Sequence, residues 1–270
     1  MSAPTFLSYS ALRLYGFGSD KRACPYAYHL AYVDRKKPVS FNNRPFFVGH
    51  VVHSLQEKWV LKGMNPDIPL IDDWQNVADS YLKRNRVTFS GVGDRELLFS
   101  RIVEYGNKVQ EAFVKLGMNK KNLKPECELK VWSTKISCFL FARLDLLDFD
   151  SWDPYDLKVS PSRGSMDRNQ AKFICLILSK ELQRPVTKFF QFVPLLPELS
   201  IEYEISVDEM SEAWLEIAVI YKRMADGDYE ATPSSQKCGF CEYSQFCDAS
   251  GRKPVSIEVK NGIKYASFGE

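Results

Sequence analysis

Residues 141–158 read FARLDLLDFDSWDPYDLK, and the way their two apolar runs pair decides the fold. Each run carries an acid, and the second acid is followed two residues later by a lysine. Strand side chains alternate between faces, so residues two apart share one. If 155–159 is a strand, Asp156 and Lys158 point the same way and Leu157 turns into the core. If 141–149 pairs beside it as a hairpin, Asp145 lies across from Asp156. Two carboxylates and an ammonium at one sheet end suit a divalent cation and a phosphate together. Taken alone, Asp-x-Lys also fits a solvated ion pair at an exposed strand end.

Working outward, a period of two begins at Lys124. It predicts paired strands over 126–133 and 135–150 with a turn at Ser133-Thr134, and a third strand over 154–159. Glu126 and Glu128 share one face there and read as solvated strand residues. A polar loop over 160–168 leads to a helix over 169–180 that contains Cys175. Strands over 188–193 and 199–205 follow, the first buried beside the Asp156 strand, and Asp208 caps a helix running to Ala225. Upstream, Ser8 or Ser10 caps a short helix to Leu14. An aromatic helix spans 22–33, with Cys24 in its first turn beside the helix-opening Pro25. The helix at 46–61 has its apolar residues at 47, 48, 51, 52, 55 and 59, with His53 beside the stripe. Two amphipathic helices over 72–86 and 96–116 read as scaffold. Gly91-Val-Gly93 breaks the chain between them and lacks the spacing of a phosphate loop. This order of elements predicts an α/β fold with a mixed central sheet flanked by helices. One domain spans 1–270: a helical region over 1–120, the α/β core over 121–230, a cysteine segment over 231–250 and a tail hairpin over 251–270. In that hairpin Asn261-Gly262 makes the tight turn.

Composition sets the class. Of 270 residues, 45% are hydrophobic and 26% charged, and the net charge is only +2, an ordinary globular composition that speaks neither for nor against nucleic acid and leaves a local basic surface open, with Lys120, Lys121, Lys124 and Lys135 as candidates. No apolar run reaches the roughly 20 residues that cross a bilayer. The N-terminal stretch lacks the basic start and apolar segment of a signal peptide, so a reducing cytoplasm is expected for the seven cysteines. Cys238, Cys241 and Cys247 are spaced C-x2-C-x5-C in a polar segment, short gaps that let soft ligands converge on one metal centre. Such a centre wants four ligands. Cys127, Cys138 and Cys175 sit in apolar contexts that read as core, which leaves Cys24 as the fourth candidate. Spacing alone does not separate zinc from an iron–sulfur cluster.

Six features occur in order along the chain: Cys24-Pro25 in an aromatic helix, Gly49-His-Val-Val-His53, Ala142-Arg-Leu-Asp145, Asp156-Leu-Lys158, Gln170, and the cysteine triplet. This series resembles the RecB-like branch of the PD-(D/E)XK nucleases, and most closely its iron–sulfur subgroup, which includes the AddB nuclease domain and CRISPR-associated exonucleases. The resemblance implies a restriction-endonuclease-like core closed by a cysteine clasp. It further implies that His53, Asp145, Asp156 and the main-chain carbonyl of Leu157 hold Mg²⁺ or Mn²⁺. By the same resemblance, Lys158 contacts the attacking water or the scissile phosphate and Gln170 orients the lysine or the DNA. Cys24, Cys238, Cys241 and Cys247 are implied to hold a [4Fe–4S] cluster. Glu128 is held as a second-tier candidate, because relatives often carry a glutamate on that strand. Where the family often has a tyrosine four residues after the glutamine, this chain has Ile174. The function implied is a metal-dependent DNA exonuclease of recombination, repair, CRISPR adaptation or phage DNA processing. It would work with a separate helicase, recombinase or single-strand-binding protein, because no P-loop motif is present. A binding module that grips DNA or a partner on the same fold without cutting is the competing reading.

Overall fold

The structure, a computed structural model, describes residues 3–19, 23–36, 44–85, 87–160, 167–239, 241–250, 256–260 and 263–267. Its strands are β1 (Phe6–Ser8), β2 (Leu123–Ser133), β3 (Cys138–Asp148), β4 (Asp153–Leu157), β5 (Lys188–Val193), β6 (Leu199–Glu204), β7 (Ser256–Lys260) and β8 (Ile263–Ser267). Its α-helices are α1 (Tyr9–Tyr15), α2 (Pro25–Tyr28), α3 (Arg44–Leu61), α4 (Trp74–Arg84), α5 (Val92–Lys115), α6 (Arg168–Leu182), α7 (Val207–Ala225) and α8 (Ser235–Gly239). Hydrogen bonds order the strands β1-β3-β4-β5-β6, with β2 also on β3. β1 runs parallel to β3, β4 antiparallel to β3 but parallel to β5, and β6 antiparallel to β5. The result is the mixed sheet with flanking helices that the sequence pattern predicts.

The chain divides into two compact units. One comprises Asn42–Leu129 and Ala142–Met210. Its apolar centre joins the inner face of α3 (Phe47, Val51, Leu55, Trp59) to Ile102, Val109 and Phe113 of α5, and to Leu146, Tyr155, Leu157 and Phe192 of the strands. Phe113 sits edge-on between Trp59 and Phe192, at 5.5 and 4.9 Å between ring centres. In α5, Gly106 is buried against Leu70 and Ile71, and a Cβ there would run into the Ile71 side chain. β4 lies between β3 and β5 and is buried from Pro154 to Leu157. A strand so placed ordinarily reads as unbroken apolar sequence, which makes the acid at 156 anomalous. Buried side chains run from Phe173 to Leu178 in α6, whose first N–H groups are capped by Asp167 at 3.0 and 3.3 Å.

The other unit comprises Met1–Phe41, Lys130–Phe141 and Ser211–Glu270. Ser8 caps α1 by accepting from Ala11 N–H at 3.2 Å. The strand β1 that precedes this cap was not expected, because three residues are too few to show a period; it pairs from Phe6↔Phe139 to Ser8↔Phe141. The helix expected over 22–33 is four residues of α2 followed by π-helical His29–Val33, with Cys24 at the N-cap of α2. Tyr15, Tyr28 and Tyr229 pack against one another, at 5.7 to 6.3 Å between ring centres.

Several element boundaries differ from expectation by one to four residues, and four of the differences bear on how the elements are built. The β2–β3 turn occupies residues 134–137, with Ser137 left-handed at φ 49°, so the reversal is longer than a Ser133-Thr134 turn. β4 stops at Leu157. α5 begins at Val92, which takes Gly93 into the helix rather than the break. Ser206, not Asp208, caps α7: its hydroxyl accepts from Glu209 N–H, while the Glu209 carboxylate accepts from Ser206 N–H, both at 3.1 Å. That reciprocal pair is a capping box, and its Ser-x-x-Glu spacing is visible in the sequence. In the tail, β7 and β8 pair from Ser256↔Ser267 to Lys260↔Ile263. The predicted Asn261-Gly262 turn lies outside the described residues.

Candidate active site

Register brings the acids together. β3 and β4 pair Leu146 with Tyr155, so the next step along each strand sets Asp145 opposite Asp156. β4 and β5 pair Asp156 with Gln191, and Lys158, one residue past β4, still donates its N–H to Phe192 O at 2.9 Å. The lysine therefore leaves a backbone that remains fixed on β5. As strand alternation requires, its Nζ lies 2.8 Å from Asp156 Oδ2. That contact is an ion pair off the hydrogen-bond direction, so the buried Oδ2 has no hydrogen-bond partner. Gln170, in the first turn of α6, bridges the two charged groups. Its Nε2 donates to Asp156 Oδ1 at 3.0 Å and its Oε1 accepts from Lys158 Nζ at 3.4 Å.

Asp145 Oδ2 accepts from Leu157 N–H at 2.8 Å and lies 3.6 Å from His53 Nδ1 on α3. Burial, and then the charge of Asp156, push the Asp145 carboxyl above the ordinary range, against the opposing pull of the Leu157 N–H and Lys158. Burial depresses His53 despite the neighbouring acids, which favours the neutral imidazole that binds metals. Among the described residues, no three His, Cys, Asp or Glu side chains converge on one point as ligands of a single ion. The donors nevertheless suit a divalent cation. A buried carboxylate oxygen without a hydrogen-bond partner, a second carboxyl raised by its neighbour and a neutral imidazole form a set that a cation would satisfy and neutralise.

Glu128 is exposed, and Glu126 is the glutamate whose charge acts on both Asp145 and His53. Glu126 takes left-handed backbone at φ 50° inside β2, uncommon for a side-chain-bearing residue in a strand, and pairs with Arg143 of β3. Sequence alternation put both glutamates on one face but did not rank them. The ranking depends on this backbone kink, for which the sequence carries no signal.

The cysteines form a separate cluster. Cys24, Cys238, Cys241 and Cys247 line one cavity together with Ser244 and Ser250. Backbone bonds from Cys241 to Cys238, Ser244 to Cys241, Cys247 to Ser244 and Ser250 to Cys247 build it, at 3.0 to 3.4 Å. Each spans three residues, in a run of separate short turns: Tyr243 and Cys247, on either side of Ser244–Phe246, are not helical. The C-x2-C-x5-C spacing thus belongs to a longer C-C-S-C-S series at every third position. Thr232 N–H approaches Cys24 Sγ at 3.5 Å across 208 residues of chain. Burial alone would raise Cys24, but hydrogen bonds from Thr232, Ala27 and Tyr26 outweigh it and lower the thiol, whereas burial raises Cys241 and Cys247. Such donors suit thiolates that ligate a metal centre. Cys127, Cys138 and Cys175 are buried core, as expected.

No curated protein matches the sequence. The crystal structure of a "Putative exonuclease" from Eubacterium rectale superposes with a TM-score of 0.53 at 10% identity, covering 93% of this chain and 91% of that one. The crystal structure of SSO0001 gives a TM-score of 0.34 at 18% identity, over 57% of this chain and 76% of its own. The first is a likeness of fold. The family model of the PD-(D/E)XK nuclease superfamily matches residues 7–248, almost the whole chain, and the chain belongs to that superfamily.

Proposed function

We propose that this nuclease is a Mn²⁺- or Mg²⁺-dependent DNA exonuclease of the RecB-like iron–sulfur branch. The observation that carries the reading is the Lys158–Gln170–Asp156 bridge beside Asp145 and His53. His53, Asp145, Asp156 and the Leu157 carbonyl would hold the cation. When bound, such a cation neutralises phosphate charge and makes water acidic enough to attack near neutral pH. The chain's own residues supply the rest. Lys158 brings a fixed positive charge to where negative charge accumulates in the transition state. Gln170 holds that ammonium in place, and the Leu157 N–H fixes the Asp145 carboxylate.

Cys24, Cys238, Cys241 and Cys247 are proposed to hold a [4Fe–4S] cluster. Four thiols lining one cavity support a metal centre with four thiolate ligands, and the family resemblance favours iron–sulfur over zinc. Recombination, repair, CRISPR adaptation and phage DNA processing are the settings in which a nuclease without its own P-loop would act beside a separate motor.

The test is cleavage of end-labelled linear and circular DNA with and without Mn²⁺. Asp156→Ala and Lys158→Ala should each lower the rate by about a thousandfold or more while preserving the thermal transition. Retained cleavage in both variants ends the assignment, and cutting of circles replaces exonuclease with endonuclease action. Binding without cutting by the unmodified protein would select the non-catalytic module.

A further inference from the structure

A second cavity, in the cysteine-bearing unit, adjoins the thiol cavity and shares Ala27, Lys237 and Cys241 with it. It is an open cleft of about 320 Å³ whose lining includes Ser10 and Arg13 of α1, Tyr32, and Lys237, Glu242 and Tyr243 of the cysteine segment. Its volume lies at the lower end of ligand pockets, room for one nucleotide rather than a folded partner. Two cations and two phenol rings face a space with a single acid, Glu242, among its lining residues. That pairing of charge with aromatic surface suits an anion that carries a flat ring.

The rings are held in place in advance. Tyr32 stacks on the buried Tyr28 at 5.0 Å and 25° between planes, yet keeps 45% of its surface exposed. Tyr243 lies close enough to Tyr32 and Glu242 for both to act on its phenol, which burial raises above its ordinary value. Arg13 is exposed on α1. Lys237 spends one of its three donors on Thr232 Oγ1, at 3.1 Å, and reaches the cleft from the cysteine segment. A fixed ring with an accessible surface, flanked by cations, is the arrangement that stacks unpaired bases while neutralising their phosphates.

We propose that this cleft binds a nucleotide of single-stranded DNA, with Tyr32 and Tyr243 stacking the base and Arg13 and Lys237 contacting phosphate. A duplex does not fit, because its bases are already stacked on one another and a cleft this size admits only a base turned outward. The inference deepens the nuclease reading and rests on it for the identity of the polymer.

The experiment uses the full, metal-loaded protein with two substrates: a single-stranded oligonucleotide, and a thymidine phosphate nitrophenyl ester, which carries one nucleotide and so cannot occupy two sites at once. Arg13→Glu and Tyr32→Ala should each raise the oligonucleotide KM about tenfold and leave the ester kinetics unchanged. Arg13→Lys should restore most of the loss, and Arg13→Glu should flatten the salt dependence of affinity by about 0.7 in log–log slope. An unchanged oligonucleotide KM in both loss variants overturns the proposal, as does an equal loss on duplex of the same length. If the unmodified protein cleaves neither substrate, the nuclease reading is what has failed. Fluorescence anisotropy of labelled single strand then decides the cleft, and equal affinity of Arg13→Glu and unmodified protein overturns it.

Discussion

The acid–lysine site and the cysteine cavity both gather charged or ionisable groups, but the chain prepares them differently. At the first, Asp145, Asp156, Lys158 and Gln170 sit on strand and helix backbone anchored by Leu146, Tyr155, Leu157 and the buried side of α6; Asp156, Lys158 and Gln170 already bond one another, and Leu157 N–H holds Asp145. At the second, the described residues between 231 and 250 bury only Ser244, and the backbone advances by three-residue turns. The sheet can hold its site together without a ligand, at an electrostatic cost. The cysteine segment has almost no apolar burial with which to fold, so the proposed cluster would supply much of its stability.

The sharpest way to break this contrast is to remove one thiol. Cys238→Ser should abolish the visible absorbance of the cluster and leave the 231–250 segment open to limited proteolysis. The metal linkage involved is of the order of 10 kcal/mol in small structural sites. Mn²⁺ binding at the sheet, followed by calorimetry, should persist in that variant. A cysteine segment that resists protease after losing its cluster would show that its turns hold themselves, and the contrast would fall.

Asp145→Asn tests the other half and should have a smaller effect. The Asp145 carboxyl is raised in the folded protein, so between its ordinary range and that raised value the native state binds more protons than the unfolded state. Stability then falls as pH rises through that window. Without divalent metal, Asp145→Asn should therefore gain about 1–2 kcal/mol at neutral pH and lose this downward slope. It should also lose the Mn²⁺-induced rise in melting temperature. An unmodified protein whose metal-free stability climbs with pH over the same range, with no change on substitution, would mean that the two acids do not burden each other.

Much of the sheet was legible because period-two alternation around Asp145 and Asp156 coincides with real burial, and because β5 was read at its true limits, 188–193. The cysteine triplet was legible from spacing, and Cys24 as the one cysteine left once Cys127, Cys138 and Cys175 read as core. What remained hidden had physical causes. The three-residue β1 is too short to show a period. The left-handed turn at Glu126 changes which glutamate faces the acids without changing the pattern of residue types. The threefold repeat that adds Ser244 and Ser250 to the thiol cavity lies in a segment whose polarity reads as loop. Gln170 is named by the resemblance as the residue that orients the lysine, and the neighbouring strands add only that its amide also holds Asp156.

The smallest effect concerns how the acid-site unit holds itself without help from any bound group. Arg168 grips Glu209 with a fork, Nε to Oε1 at 2.9 Å and Nη2 to Oε2 at 3.0 Å, while Nη2 also donates to Glu204 O at 2.9 Å. Those bonds hold the Glu209 carboxyl at about 2, and its bond from Ser206 N–H adds the cap of α7. A carboxyl lowered on folding stabilises fully above its unfolded value near 4.5, and that contribution fades as pH falls toward 2. Glu209→Ala removes both the partly exposed ion pair and the cap, a loss of about 1–2 kcal/mol in urea unfolding at pH 7. The difference between variant and unmodified protein should shrink on acidification from pH 4.5, whether or not the cysteines carry their cluster. A loss that appeared only in the cluster-free protein would mean that the sheet unit draws stability from the cysteine segment, and the two sites would not be prepared independently.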